Sequence, residues 1–274
     1  MALNRPRKRF GQHFLEPAWV DKLVRAIAPS GDEVFLEIGP GRGALTRPLA
    51  ARAKQVLAFE IDRDLVIEVL HAAIPNLTVL ADDFLDVSAE RLAHELAAAG
   101  AATTPVRVAG NLPYNIASPI LFRLVELFAA GAPLVDATVM LQREVADRLT
   151  ARPGTGAYGP LTVLAGRAFR IERLFDVPPG AFTPRPTVVS SVTRWLPREE
   201  AQLPEDDVRP LRAVLQAAFA RRRQTLSRNL RDALPGGAAA ASSILAAAGI
   251  DGSLRAEAIA PEGFVALARL WPRL

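Results

Sequence analysis

Val34-Phe35-Leu36-Glu37-Ile38 runs directly into Gly39-Pro40-Gly41-Arg42-Gly43, and this stretch decides the fold. The first five residues form a short apolar run with one acid, the pattern of a buried strand. The glycines allow a sharp bend and a close approach of backbone to ligand. A helical pattern follows from Ala44 through Leu49. Strand, glycine turn and helix open a nucleotide-binding βαβ unit. The spacing is Gly-x-Gly-x-Gly, unlike the Gly-x-Gly-x-x-Gly of dinucleotide binders, and no phosphate-binding Gly-x4-Gly-Lys-Ser/Thr occurs. Glu37 stands just before the loop, where it would repel a pyrophosphate. A cationic, phosphate-free ligand fits better, and a sulfonium nucleoside has both properties.

The next strands repeat the theme. Gln55-Val56-Leu57-Ala58-Phe59 ends in Glu60, placed to accept hydrogen bonds from both hydroxyls of a ribose. The competing reading is a helix N-terminal acid, a role that Asp62 and Asp64 fill equally well. Leu77-Thr78-Val79-Leu80 ends in Ala81-Asp82-Asp83-Phe84. An Asp there can accept from an adenine amino group, or simply cap the next helix. Val106 to Ala109 leads into Gly110-Asn111-Leu112-Pro113-Tyr114-Asn115. The Asn111 side-chain oxygen and the Leu112 or Pro113 carbonyl can accept from an exocyclic NH2. Pro113 restricts its own φ and biases Leu112 toward extended backbone, and Tyr114 offers a face for a base to stack on. Four suitable groups thus fall at four successive strand ends, where open α/β sheets bind ligands.

Downstream, helices are expected at Ser118–Phe128 and from Leu161 to Gly166, with strands at Ala137–Leu141 and near Ala168 to Ile171. Phe182-Thr183-Pro184-Arg185-Pro186 is an extended loop feeding a last strand, and Phe182 can stack on a base opposite Tyr114. Trp195 to Glu205 carries prolines and acids and reads as a linker. Beyond it Val208, Leu211, Leu215 and Phe219 share one helical face, and Arg221-Arg222-Arg223 is expected on another. The division implied is an α/β domain over 1–197, with a basic arm, and a small all-α domain over 205–274.

At 274 residues and 50% hydrophobic, the chain can bury a large core. It has no cysteine, which excludes disulfides, thiolate zinc sites and a cysteine nucleophile. His13, His71 and His94 are scattered, so no metal site is expected. No apolar run approaches the roughly 20 residues that span a bilayer, and no signal peptide is evident. The net charge is +4, and its location matters more than its sum. Arg5-Pro6-Arg7-Lys8-Arg9 and Arg221-Arg222-Arg223 are the clusters suited to phosphates, although a basic arm taken by itself is better read as a solvated tail and the second run can be a solvated face.

Motifs along nearly the whole chain resemble the ribosomal RNA adenine N6-dimethyltransferase family, most closely its branch acting on the small ribosomal subunit. They include Lys8-Arg9-Phe10-Gly11-Gln12-His13-Phe14-Leu15, Glu37-Ile38-Gly39-Pro40-Gly41, Phe59-Glu60-Ile61-Asp62 and Asn111-Leu112-Pro113-Tyr114-Asn115-Ile116. Leu141-Gln142-Arg143-Glu144-Val145-Ala146, Tyr158-Gly159-Pro160-Leu161, Phe182-Thr183-Pro184-Arg185-Pro186 and Arg221-Arg222-Arg223-Gln224-Thr225-Leu226 continue the match. The resemblance implies a Rossmann-like, S-adenosylmethionine-dependent methyltransferase domain with a central, mostly parallel sheet. It implies a donor held by His13, Leu15, Gly39, Glu60, Asp83 and Asn111, and catalysis at Asn111, Leu112, Pro113, Tyr114 and Phe182. It implies RNA contacts from Arg7, Lys8, Arg9, Arg221, Arg222 and Arg223. The substrate implied is a pair of adjacent adenines in a 3′-terminal hairpin of 16S rRNA, in the small-subunit precursor, acted on by a cytoplasmic monomer. Many relatives carry Asn where this chain has His13, so that contact is expected through ring or backbone. Asp82 and Asp83 compete for the adenine role. Alternatives are a 23S rRNA dimethyltransferase, a DNA adenine methyltransferase, and a ribosome-assembly RNA-binding factor.

Overall fold

The computed structural model describes residues 13–102, 104–198 and 205–272. Phe14–Leu15 forms a two-residue strand, β1, followed by helix α1 over Pro17–Ile27. Pro17 opens the helix, where its missing N–H has no intrahelical partner to lose. Val20, Leu23, Val24 and Ile27 bury one face, as their spacing requires.

Strand and helix then alternate through β2 (Val34–Ile38), α2 (Thr46–Ala50), β3 (Gln55–Phe59), α3 (Arg63–Leu70) and β4 (Leu77–Leu80). They continue with α4 (Ala89–Ala98), β5 (Val106–Asn111), α5 (Ala117–Ala129) and β6 (Leu134–Gln142). β2 pairs in parallel with β3 and β5, β3 with β4, and β5 with β6. Every residue of β2 is buried, which accounts for its nearly unbroken apolar run, because a parallel sheet is covered on both faces.

Next come α6 (Arg143–Leu149), α7 (Pro160–Ala168), β7 (Phe169–Val177), β8 (Phe182–Thr183) and β9 (Ser190–Pro197). The seven-stranded sheet has the order β4-β3-β2-β5-β6-β9-β7, with β9 antiparallel to β6. The chain winds outward from β2 to β4, then returns to β5 on the other side. The carboxyl ends of β2 and β5 therefore flank the switch point, where such sheets bind ligands. β8 instead pairs antiparallel with β1, setting Phe14 opposite Thr183 and Leu15 opposite Phe182.

Two expectations about the strands change. Trp195 belongs to β9, not to a linker. It is fully buried opposite Ala137, and its Nε1 donates to Thr193 Oγ1 at 3.0 Å. The strand ends at Pro197, which cannot donate to a ladder. The strand expected near Ala168 extends from Phe169 to Val177. As the end strand of its sheet it tolerates charged residues, and these hid its period.

The chain forms two compact units. The first holds the described residues up to Ala146 together with Ile171–Pro197, and the second joins Asp147–Arg170 to the described residues from Arg198 onward. A boundary after residue 197 alone does not capture this, because the second unit also claims 147–170. Fully buried Tyr158 donates its hydroxyl to Ile259 O at 2.9 Å, and Arg222 Nη2 donates to Tyr158 O at 2.5 Å. The remaining helices are α8 (Glu205–Ala218), α9 (Leu226–Ala233), α10 (Gly237–Ala247) and α11 (Pro261–Leu270). Arg221–Arg223 lies in the turn between α8 and α9 and not on a helical face. Asn229 Nδ2 reaches back to Ala218 O at 2.7 Å and Arg221 O at 3.2 Å, satisfying carbonyls at the end of α8.

Candidate active site

A cavity of about 320 Å³ lies at the carboxyl ends of β2 to β5 and is lined by Gly39, Glu60, Asp83 and Asn111. That volume falls at the lower end of small-molecule sites. Two glycines are needed for its shape. Gly41 has φ +58°, and a Cβ there would sit 3.4 Å from Phe14 Cε1. Gly110 has no room for a side chain, because a Cβ would come within 2.8 Å of Ile38 O. Its absence lets β5 pass close to β2 just before Asn111.

Three acids besides Glu37 face this space. Glu60 is buried, and its two oxygens accept from Gly41 N at 3.0 Å and Asp62 N at 2.9 Å. Burial is the largest cause raising its pKa, and those backbone donors oppose it. Each carboxylate oxygen retains acceptor capacity beyond one bond. Asp83 caps the short turn that follows it, accepting from Leu85 N at 2.9 Å, while the exposed Asp82 accepts from Asp83 N at 3.0 Å. The capping reading is thus realised at Asp83, and both acids still line the cavity.

Glu37 differs from these. It is 1% exposed, lines the cavity, and its Oε2 has no hydrogen-bond partner among the described residues. Burial pushes its pKa up to about 8, with Glu60 adding to the effect and Thr46 opposing it. A buried carboxylate with an unfilled acceptor is costly unless a cation meets it. The wall therefore suits a positively charged ligand such as a sulfonium amino acid.

The opposite wall is assembled from distant segments. Asn111 Nδ2 donates to His13 O at 3.0 Å, which leaves its Oδ1 as the amide's acceptor end. His13 Nδ1 bonds Pro184 O at 2.8 Å, and the His13 ring stacks on Tyr114 with centroids 5.1 Å apart at 28°. Leu15 lines the cavity, and Phe14 carries the Arg42 guanidinium 4.4 Å from its ring centroid. Leu112, Pro113 and Tyr114 also line it. Phe182 is buried, with its centroid 6.5 Å from that of Tyr114 at 76°. A base held between two rings needs them parallel, so in this arrangement Phe182 meets Tyr114 edge-on and does not close a sandwich.

The basic clusters fare unevenly. Arg7, Lys8 and Arg9 lie outside the described residues. Arg221, Arg222 and Arg223 are all exposed. Arg221 pairs with Asp232 at 3.0 Å, and Arg222 holds the Tyr158 carbonyl. Arg223 makes no hydrogen bond or ion pair among the described residues. Sequence reasoning overlooked Ile61, which is 44% exposed on the cavity wall, and Ser190, which meets the Tyr114 hydroxyl. Ile61 was findable, since it follows Glu60 at a strand end. Nothing local marks Ser190.

The family model described as "Ribosomal RNA adenine dimethylase" matches residues 3–270. A protein of Aromatoleum aromaticum named ribosomal RNA small subunit methyltransferase A is 43% identical over 269 residues, covering 97% of this chain and 94% of its own length. A Bordetella petrii protein of the same name is 46% identical over 239 residues, covering 85% and 84%. Among solved structures, a dimethyladenosine transferase from Plasmodium falciparum superposes with TM-score 0.71 at 24% identity, over 93% of this chain and 96% of that one. The 23S rRNA methyltransferase ErmE superposes with TM-score 0.59 at 27% identity, over 93% and 98%.

Proposed function

We propose a function from the premise that this chain belongs to the ribosomal RNA adenine dimethylase family: it dimethylates N6 of two adjacent adenines in a 3′-terminal hairpin of 16S rRNA, using S-adenosylmethionine. The observation that carries this reading is one cavity at four strand ends, whose acidic wall holds Glu37 and Glu60 and whose other wall presents Asn111 and Tyr114. The small-subunit assignment follows the names of the relatives at 43% and 46% identity. Among the described residues no helix is long and apolar enough to cross a membrane. We read the protein as a cytoplasmic monomer acting on the small-subunit precursor.

Gly39, Glu60, Asp83, Leu15, His13 and Asn111 would hold the donor, with Glu37 supplying countercharge. When bound, S-adenosylmethionine supplies an electrophilic methyl on a cationic sulfur. Adenine N6 is a poor nucleophile, because its lone pair is delocalised into the ring. Asn111 Oδ1 would accept one N6 hydrogen and draw that lone pair out of conjugation. The Pro113 carbonyl already accepts from Ile116 N at 3.2 Å, so the Leu112 carbonyl is the better second acceptor. Tyr114 would carry the base, with Phe182 packed near-perpendicular against it. Positioning and preorganised dipoles then do most of the catalysis, and the proton leaves to water. The adenine must first unstack, at a cost of a few kcal/mol. In the helical unit, Arg221, Arg222 and Arg223 would meet phosphates, and the Arg7-Lys8-Arg9 arm would add to them.

The decisive experiment is labelled methyl transfer to small subunits lacking these methyl groups, run beside large subunits and naked rRNA. Dimethyladenine in small subunits alone is the expected result. Label in 23S rRNA would instead favour the ErmE-like reading, for which the structural likeness is the supporting observation.

A further inference from the structure

We propose that Ser190 is a positioning residue for methyl transfer, acting through Tyr114; the inference rests on the reading above that Tyr114 carries the target base. Ser190 is the first residue of β9, fully buried, and sits opposite Gln142 of β6. Its backbone is therefore fixed by the sheet, and its hydroxyl meets the Tyr114 phenol. Tyr114 lies in the turn between β5 and α5, where no sheet pairing holds it. A largely buried phenol needs a hydrogen-bond partner. A serine hydroxyl can supply it as donor or acceptor.

Three contacts then define the ring plane. Ser190 holds the tip, His13 stacks on one face, and Phe182 packs near-perpendicular to the ring. A base can stack only on the face that His13 leaves open. His13 is tied in turn to Pro184 O through Nδ1, and its carbonyl accepts the Asn111 amide. The segment that orients Asn111 thus also selects the face of Tyr114. Ser190 keeps that face turned toward Asn111, so that the N6 acceptor and the stacking platform stay in register.

The test is single-turnover transfer to undermethylated small subunits, with donor affinity and thermal midpoint measured on the same proteins. Ser190→Ala is expected to slow transfer about tenfold, the worth of one hydrogen bond, with donor affinity unchanged. Tyr114→Phe removes the same bond from the other side and should show a similar loss. The double variant should be no slower than either single one. Ser190→Thr, which keeps the hydroxyl, should restore most of the rate. A parental rate in Ser190→Ala, losses that multiply in the double variant, or a change confined to the thermal midpoint would each overturn the proposal. Tyr114→Ala separates the two levels. Parental transfer there removes the base-holding reading, whereas loss of transfer there with a normal Ser190→Ala removes only the Ser190 inference.

Discussion

On one side of the cavity Gly39, Glu60 and Asp83 each follow within a few residues of the strand that delivers them. On the other, His13 and Tyr114 line it and Tyr114 is held by Phe182 and Ser190, so that side draws on four separate segments. The first wall needs only βα units in a parallel sheet. The second needs β1 to find β8 and β9 to find β6, pairings that span most of the first unit. Apart from His13, donor binding should therefore tolerate damage to the second wall, and methyl transfer should not.

The largest expected effect cuts across that division. Asn111→Ala should lower transfer by about 10²–10³-fold, as loss of a preorganised polar group does elsewhere, while calorimetry still shows donor binding. Near-parental turnover would remove Asn111 from the mechanism. Glu37 probes the donor wall alone. Its folded pKa of about 8 lies above the ordinary 4.5, so the folded state holds that proton more tightly. The resulting stability is full below pH 4.5 and is lost as pH rises through about 8. Glu37→Gln should then exceed the parent in stability by on the order of a few kcal/mol at pH 8, and match it at pH 4. Unfolding curves without donor across that range would settle the sign. Added donor should narrow the gap by giving the parent its missing cation.

A smaller loss is expected at Glu60. Removing a charged hydrogen-bonding group costs about 1.5–3 kcal/mol, so Glu60→Gln should weaken donor binding roughly tenfold to a hundredfold. If only transfer falls and donor affinity holds, Glu60 serves the loop through Gly41 and not the ribose. The smallest effect belongs to the helical unit. Arg223→Glu should lower the salt slope of RNA binding by about one phosphate contact without touching donor affinity. It is a cleaner probe than Arg222, whose loss would also free the Tyr158 carbonyl.

The legibility of the two walls differs for the same reason. β2, Gly39–Gly43 and Glu60 could be read because strand period, glycine turn and strand-end acid are all local. Trp195 misled because a run with prolines and acids resembles a linker, and only pairing with β6 shows that it is core. The arginine run misled in the opposite way: helical periodicity continues through it, yet Asn229 caps the end of α8 and leaves a turn. Phe182 was recognised as a site residue, but its edge-on attitude to Tyr114 depends on where β8 lies.

By itself the sequence determined the parallel sheet, the acids and the amide at its tips, and the cationic character of what they would bind, because each follows from residues a few positions apart. The tertiary structure alone decided that His13 covers one face of Tyr114, that Ser190 holds its hydroxyl, and that 147–170 joins the helical unit. Those contacts join residues tens to more than a hundred positions apart, and no local propensity encodes which distant strand edge or hydroxyl a side chain will meet.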